Sequence, residues 1–551
     1  MKLTNIFFLF ILTVNVNAFE ISEDQKKRLE QMIRSQVSDH SPGLAIGIVN
    51  NEEVVYEQYL GYANLNDNIL ISSDTKFNYA SVAKQLTAFI LLELCLEKGI
   101  SLDEDFRQYL PDFYPGNKDK ISIKNLISHS SGIRDYPVLL NLQSKPWWKQ
   151  VGLSNRSVLK LIKKQRTLNF TPGTAYAYSN TNYTIITALI NHFSGVDFET
   201  HSNAFFDRMG MKQTYFNPGY MHIVKNKALP YSSWESGVWK QYPMLSNLNG
   251  DGFLYTTLTD QLKWETHLQQ NFQDQINLLI QQPLFTDAVN SYGFGLEFAD
   301  FYGHKSIEHS GSTGSYNSHL LRLPGKSISI VVLSNNGSIS SRDLAVASAK
   351  IVLDINEDES AQMVNKALNF NGENKYAKND LVGSYFLNEN TVVKITLKEG
   401  DLFREIEQRE PIRLISKGND VYQYESMDFL HVAFEKDGDL LSFKLHQTGL
   451  APRLAVRFNP EQISDKYKKS INGRYYNDEL DVYFVLRFLE ANTFELSFNN
   501  KTFKTSMYKK GYLNIDGYQL RIEQSKGIAS EKLYLNYGNS RNISFMKIAA
   551  N

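Results

Sequence analysis

The sequence predicts an α+β fold: one antiparallel sheet flanked by helices with a helical lobe beside it, then two small antiparallel β-barrel-like units. Three observations carry this. Strand patterns stand at both ends of the first 355 residues, with helical and loop patterns between them. Beyond a polar stretch the texture changes to short alternating strands separated by turn residues. That second texture holds a weak repeat, in which Gly383-x-Tyr385 and Gly473-x-Tyr475 stand 90 residues apart.

Element by element, one lysine precedes an apolar run from Ile6 to Val14, and Val16 and Ala18 fit the small-residue positions before a cleavage site. Residues 1–18 read as a signal peptide, too short to span a bilayer, so the protein is expected to be exported, periplasmic or secreted. "ISEDQKKRLEQMIRSQVSD" is an amphipathic helix, and "GLAIGIVN" and "EVVYEQYLGYA" form a hairpin. A helix is expected from Ser81 to about Lys98, where "KGISL" ends it. "SYGFGLEF", "KSIEHSG" and "SISIVVLSN" read as strands, and "SRDLAVASAKIVLD" as a closing helix. The expected units are a catalytic region over 19–354, a linker over 355–379, and β units over 380–460 and 461–551.

The 551 residues carry a formal net charge of −1, which gives no electrostatic reason to expect nucleic acid or an anionic membrane as partner. No later run is long and apolar enough to span a bilayer. The single cysteine, Cys95, excludes an internal disulfide and reads as a buried small apolar residue. The expected partner is a small molecule or short peptide. No cofactor is expected, and the oligomeric state is not legible.

The chemistry starts from "FNYASVAKQLTAFI". Ser81 and Lys84 lie one turn apart on one helix face, a hydroxyl beside an amine. The spacing alone is weak, since Ser73/Lys76, Ser157/Lys160, Ser506/Lys509 and Ser544/Lys547 share it. Two further signals follow in order: Tyr178-Ser-Asn180 just before an amphipathic helix, and His309-Ser310-Gly311 on a strand. At a helix start, the Ser81 N–H is free to hold a developing oxyanion.

With these three motifs the chain resembles the serine beta-lactamase/D-Ala-D-Ala carboxypeptidase-like hydrolases. That group includes class C beta-lactamases, D,D-peptidases, D-aminopeptidases, some esterases and LACTB-like proteins. The motifs Ser-x-x-Lys, Tyr-x-Asn and (Lys/His)-x-Gly match Ser81–Lys84, Tyr178–Asn180 and His309–Gly311, and the resemblance spans about residues 25–355. It implies a beta-lactamase/transpeptidase-like sheet with Ser81 as nucleophile, Lys84 and Tyr178 as proton-transfer groups, and Asn180 orienting Lys84 and the substrate amide. It implies that His309 and Ser310 line the substrate side and that the Ser312 N–H completes an oxyanion hole with that of Ser81. Either Lys84 or Tyr178 can be the first base at this level. Class C beta-lactamases carry lysine at the third motif where this chain has His309. A histidine near its titration point holds a carboxylate less well at neutral pH. The paired β units resemble barrel domains attached to some D-aminopeptidases.

"HKSIEH" lacks the order of a zincin or inverzincin motif, and there is no Gly-x-Ser-x-Gly elbow. His129, in "LISHSSGI", reads as a structural turn residue. The expected function is an exported serine hydrolase of the D-amino-acid peptidase type, a D,D-carboxypeptidase or D-aminopeptidase. An esterase or beta-lactamase is the alternative within the family. A catalytically silent penicillin-binding or regulatory protein is the alternative of another class.

Overall fold

The computed structural model describes residues 21–548 apart from 236–237, 356–371, 388–390, 407–409, 426, 448–451, 499–500, 508, 516–517 and 526–527. The signal-peptide reading and most of the linker reading fall outside the described residues. Helix α1 (Glu23–Arg34) opens on a capping box between Ser22 and Gln25. Strands β1 (Leu44–Asn50) and β2 (Glu53–Leu60) form the expected hairpin, and Asn51 and Glu52 turn the chain at positive φ. Several helices then follow, among them α2 (Lys84–Lys98), α3 (Asn180–Ser194) and α4 (Leu258–Gln270).

The chain returns to the sheet as β3 (Phe285–Thr286), β4 (Ser291–Gly293), β5 (Leu296–Phe301), β6 (His304–Thr313), β7 (Tyr316–Leu323) and β8 (Ile328–Ser334). Helix α5 (Ser341–Val352) follows. The antiparallel sheet runs β3-β4-β5-β6-β7-β8-β1-β2, so β8 pairs with β1 and the two ends of the region meet in one sheet. The apolar runs that predicted β1 and β8 are buried along their whole length, because helices cover both faces. Alternation along β7 sends Leu321 and Leu323 into a core with α1 and α5. Tyr316 and Leu320 enter the core shared with α2, α3 and α4.

Beyond residue 380, eight strands from Gly383–Leu387 to Arg453–Phe458 close into a barrel with its own core. Eight more, from Gly473–Asn477 to Ser540–Ile548, form a second sheet. The repeat seen in the sequence is structural. Tyr385 Oη donates to the Leu381 carbonyl at 2.7 Å, and Tyr475 Oη to the Ile471 carbonyl at 2.8 Å. In each unit the tyrosine ties its first strand to a short helix just before it.

The two units differ in how they sit. The apolar core of the second unit is continuous with that of the lobe. Its loops grip the lobe through hydrogen bonds. Asn169 is held by the Asn539 carbonyl (3.0 Å), the Arg541 N–H (2.7 Å) and Asn542 Nδ2 (3.1 Å). Gln143 Nε2 donates to the Leu480 carbonyl at 2.7 Å. Arg134, fully buried, reaches Glu479 at 3.4 Å and the Asn542 carbonyl at 3.1 Å.

Candidate active site

Ser81 does not begin the long helix. It lies in a 3₁₀ turn, Ala80–Ala83, and α2 starts at Lys84. The difference follows from Ala80, whose φ of 48° is a left-handed conformation that no α-helix continues. Two contacts hold this bend. The Ala80 N–H donates to Asn78 Oδ1 at 2.9 Å, and Ser318 Oγ donates to the Tyr79 carbonyl at 2.7 Å. Strand β6 passes so close that a side chain at Gly311 would meet the turn. Its Cβ would stand 2.4 Å from Ser318 Oγ and 2.8 Å from the Tyr79 carbonyl oxygen. That is the physical need for glycine in the third motif.

Lys84 is completely buried. Its Nζ lies 3.1 Å from Ser81 Oγ and 2.9 Å from Asn180 Oδ1, and it also donates to the Asp251 carbonyl. Burial pulls its pKa down to about 8, against the opposing charges of Asp251 and Asp135. Tyr178 stands with its ring centroid 5.0 Å from Lys84 Nζ. Burial holds its hydroxyl well above 10. The nearby Ser81 hydroxyl offsets a little of that rise, although the two form no complete hydrogen bond. Tyr178 is therefore a neutral phenol in the resting site, and Lys84 is the group poised to gain and lose a proton near neutral pH.

Asn180 is the first residue of α3, and Asp135 fixes it. Asp135 Oδ1 accepts from the Asn180 N–H at 2.8 Å and from Asn180 Nδ2 at 3.2 Å. The amide oxygen is thereby left for Lys84. Burial raises the Asp135 pKa to about 7, although the two hydrogen bonds from Asn180 work against it. Asp251, whose carbonyl meets Lys84, accepts from Tyr136 Oη at 2.8 Å through its carboxylate. Burial raises its pKa as well.

His309 closes the site from β6. Its Nδ1 lies 2.7 Å from the Ser310 carbonyl, which can only accept, so Nδ1 carries the proton. Nε2 then accepts from Tyr292 Oη at 3.1 Å. Burial, then the charge of Lys84, depress its pKa to about 3. The expectation of a histidine near its titration point is corrected here: at neutral pH His309 is neutral and fixed in one tautomer. Ser310 departs from its expected place too. Alternation along β6 turns its side chain away from His309, and its Oγ meets His319 Nδ1 at 2.9 Å on the other face. Gly311 is buried against the turn, and Ser312 is exposed on β6 opposite Asn317.

The structure thus brings Ser81, Lys84, Tyr178, Asn180 and His309 into one cluster. It adds Asp135, Tyr136, Asp251 and Tyr292, which the sequence reading did not single out. Tyr292 lies in "SYGFGLEF", which the sequence marks only as a strand. His129 is structural, as expected. It is buried at φ 56°, accepts the Ser179 N–H at 3.2 Å, and packs 4.3 Å from the Tyr178 ring. The described residues contain no group of three or more His, Cys, Asp or Glu suited to a metal ion, and no helix long and apolar enough to cross a membrane.

A serine hydroxyl against a buried, easily deprotonated lysine, with a neutral tyrosine over both, is the site of a serine hydrolase. The chain belongs to the Beta-lactamase family, whose model matches residues 29–351. It is 28% identical over 321 residues to a D-aminopeptidase of Gluconobacter oxydans, covering 56% of this chain and 58% of that protein. A D-aminopeptidase of Brucella melitensis is 25% identical over 495 residues, 88% of each chain. Among solved structures, the octameric penicillin-binding protein homologue from Pyrococcus abyssi superposes with a TM-score of 0.57 at 20% identity, over 78% of this chain and 99% of that one. The D-amino acid amidase from Ochrobactrum anthropi complexed with D-phenylalanine gives 0.51 at 20% identity, over 60% and 98%. At these identities the structural matches speak for the fold.

Proposed function

We propose that this chain is an exported hydrolase that cleaves amides or short peptides carrying a D-amino acid at the amino end, through an acyl-enzyme on Ser81. The observation that carries the substrate side is the neutral His309. A fixed cation at that position, such as the lysine of class C beta-lactamases, would anchor a substrate carboxylate. A buried imidazole with a pKa of about 3 offers no such charge. The reading agrees with the D-aminopeptidase relatives.

In this reading neutral Lys84 takes the Ser81 proton as Oγ attacks the scissile carbonyl. The backbone N–H groups of Ser81 and Ser312 receive the oxyanion. Tyr178 relays a proton to the departing amine, helped by the Lys84 ammonium beside it. Asn180, held by Asp135, keeps Lys84 aimed at Ser81 Oγ. Water then enters and the same groups act in reverse.

The test is hydrolysis of D-alanine p-nitroanilide against its L-enantiomer, N-acetylated D-alanyl-D-alanine and a chromogenic cephalosporin, with intact-mass detection of the acyl-enzyme. Preferential turnover of the free-amino D-substrate is expected. Faster turnover of the carboxylate-bearing substrates would overturn the assignment. Mature protein beginning at Phe19 would support export.

A further inference from the structure

The outward face of β6 carries a second serine–histidine–carboxylate array. Ser310 is exposed, and its Oγ lies 2.9 Å from Nδ1 of His319, the residue directly opposite it on β7. His319 is fully buried, and its Nε2 stands 3.4 Å from Glu308 Oε2. Glu308 is two residues before Ser310 on the same strand face, and Arg342 of α5 approaches its other oxygen at 3.4 Å.

The hydrogen positions follow from the partners. Burial lowers the pKa of His319, so the imidazole is neutral with one N–H. The His319 ring and the Arg342 guanidinium beside it hold the Glu308 pKa below its usual value despite burial, so it is ionised and can only accept. The carboxylate 3.4 Å away favours the imidazole proton on Nε2, although the two atoms do not close a full hydrogen bond. Nδ1 presents its lone pair, and the Ser310 hydroxyl must donate to it. This is the arrangement of a serine backed by a general base that a carboxylate orients.

We propose that Ser310 is a second nucleophile, independent of Ser81, that is acylated by aryl esters and phosphonylated by fluorophosphonates. Ser310 Oγ attacks the ester carbonyl, and its proton passes to His319 Nδ1. The C–O bond to the aryl group breaks, and the aryloxide takes the proton from the imidazolium. The products are acyl-Ser310 and the phenol; with a fluorophosphonate, Oγ attacks phosphorus, the P–F bond breaks, fluoride leaves and the proton held by His319 passes to solvent. Aryl esters and fluorophosphonates are the fitting class because their leaving groups depart with little acid assistance. His309 and Ser310 are adjacent on β6 and send their side chains to opposite faces of the strand, Ser310 toward His319.

The test uses full-length Ser81→Ala protein with a fluorophosphonate probe, followed by tryptic mapping. Ser81 and Ser310 fall on different peptides, 77–84 and 306–322. The expected result is one adduct on Ser310, formed more slowly than the Ser81 adduct of the wild type. Glu308→Gln, which keeps the shape and removes the charge, should slow it at least about tenfold, less than the roughly 10²–10⁴-fold that a general base itself contributes. His319→Asn should slow it further. No adduct on Ser310, an adduct on Ser312 or Ser315 instead, or a Ser310 rate unchanged in both second-site variants would each overturn the proposal. Absence of the wild-type Ser81 adduct would count against the main reading alone, because that adduct lies on the other peptide.

Discussion

Glu479 and Asp478 are adjacent acids on one loop of the second β unit, and each meets an arginine of the lobe. Their surroundings differ. The Arg134–Glu479 pair has side chains only 1% and 9% exposed, whereas the Arg166–Asp478 pair is 67% and 59% exposed. Glu479→Ala leaves Arg134 buried without its counter-charge. Removing one partner of a buried pair costs about 3–5 kcal/mol. Arg134 keeps Gln165 Oε1 at 3.1 Å, Thr167 Oγ1 at 2.7 Å and the Asn542 carbonyl, which places the expected loss near the lower end, about 3 kcal/mol. Asp478→Ala removes a solvated pair, for which no measurable change is expected. The assay is equilibrium denaturation of both variants in the full chain, read beside the rate of Ser81 labelling. Because Arg134 precedes Asp135, which holds Asn180, Glu479→Ala should also slow labelling. Equal stability of the two variants, or a stable Glu479→Ala protein that labels like wild type, would refute the coupling of this unit to the site.

Further outcomes follow from the site. Lys84→Ala and Tyr178→Phe should each slow acylation by roughly 10²–10⁴-fold while the fold survives, checked by stopped-flow labelling and circular dichroism. For a neutral amide substrate, kcat/KM should rise through about pH 8 as Lys84 loses its proton, and Asp135→Asn should move that limb to lower pH by removing a charge that stabilises the ammonium. No limb should belong to His309, so a limb that vanishes in His309→Gln would contradict its neutrality. Gly311→Ala should fold and lose about 10²-fold in acylation rate, because β6 must then retreat from the Ser81 turn.

Much of this was legible in residue order, for identifiable reasons. The buried strands β1 and β8 are short apolar runs bounded by turns, and local pattern suffices to find them. Ser81, Lys84, Tyr178, Asn180 and His309 stand in short motifs whose spacing is itself the signal. What stayed hidden depends on burial and on distant neighbours. Asp135 and Asp251 look like ordinary loop acids; only the fold shows them desolvated around Lys84. The state of His309 is set by burial first and then by a lysine on another element, with a tyrosine 17 residues away as its hydrogen-bond partner. The start of α2 was misplaced because the left-handed Ala80 is held by Asn78 and by Ser318 of β7, and alanine carries no local mark of it. The face of Ser310 was misjudged because a motif was read as a unit, although a strand sends adjacent residues to opposite sides.

The two β units show how a repeat can diverge in consequence while keeping its internal architecture. Both preserve the tyrosine tie between short helix and first strand. The first closes into a barrel and keeps its core to itself. In the second, Leu480, Phe484 and Phe545 belong to the same contiguous core as Leu126, Ile127 and Tyr183 of the lobe. A surface shared in this way stabilises both partners only when they are together, so cutting the chain before the second unit exposes apolar area as well as Arg134. The hydrogen bond from Asn539 Nδ2 to the Tyr178 carbonyl, 3.1 Å, carries the contact to a catalytic residue. A chain ending after residue 355 therefore lacks part of what holds Tyr178 and Asp135 in place. A chain ending after the first barrel lacks the same part, since that barrel does not supply it. Removing the first barrel while joining the second to α5 should cost far less labelling at Ser81 than either truncation. The comparison of those three proteins separates a supporting role for the second unit from a mere need for bulk at the C-terminus. Equal labelling in all three would show that neither unit bears on the site.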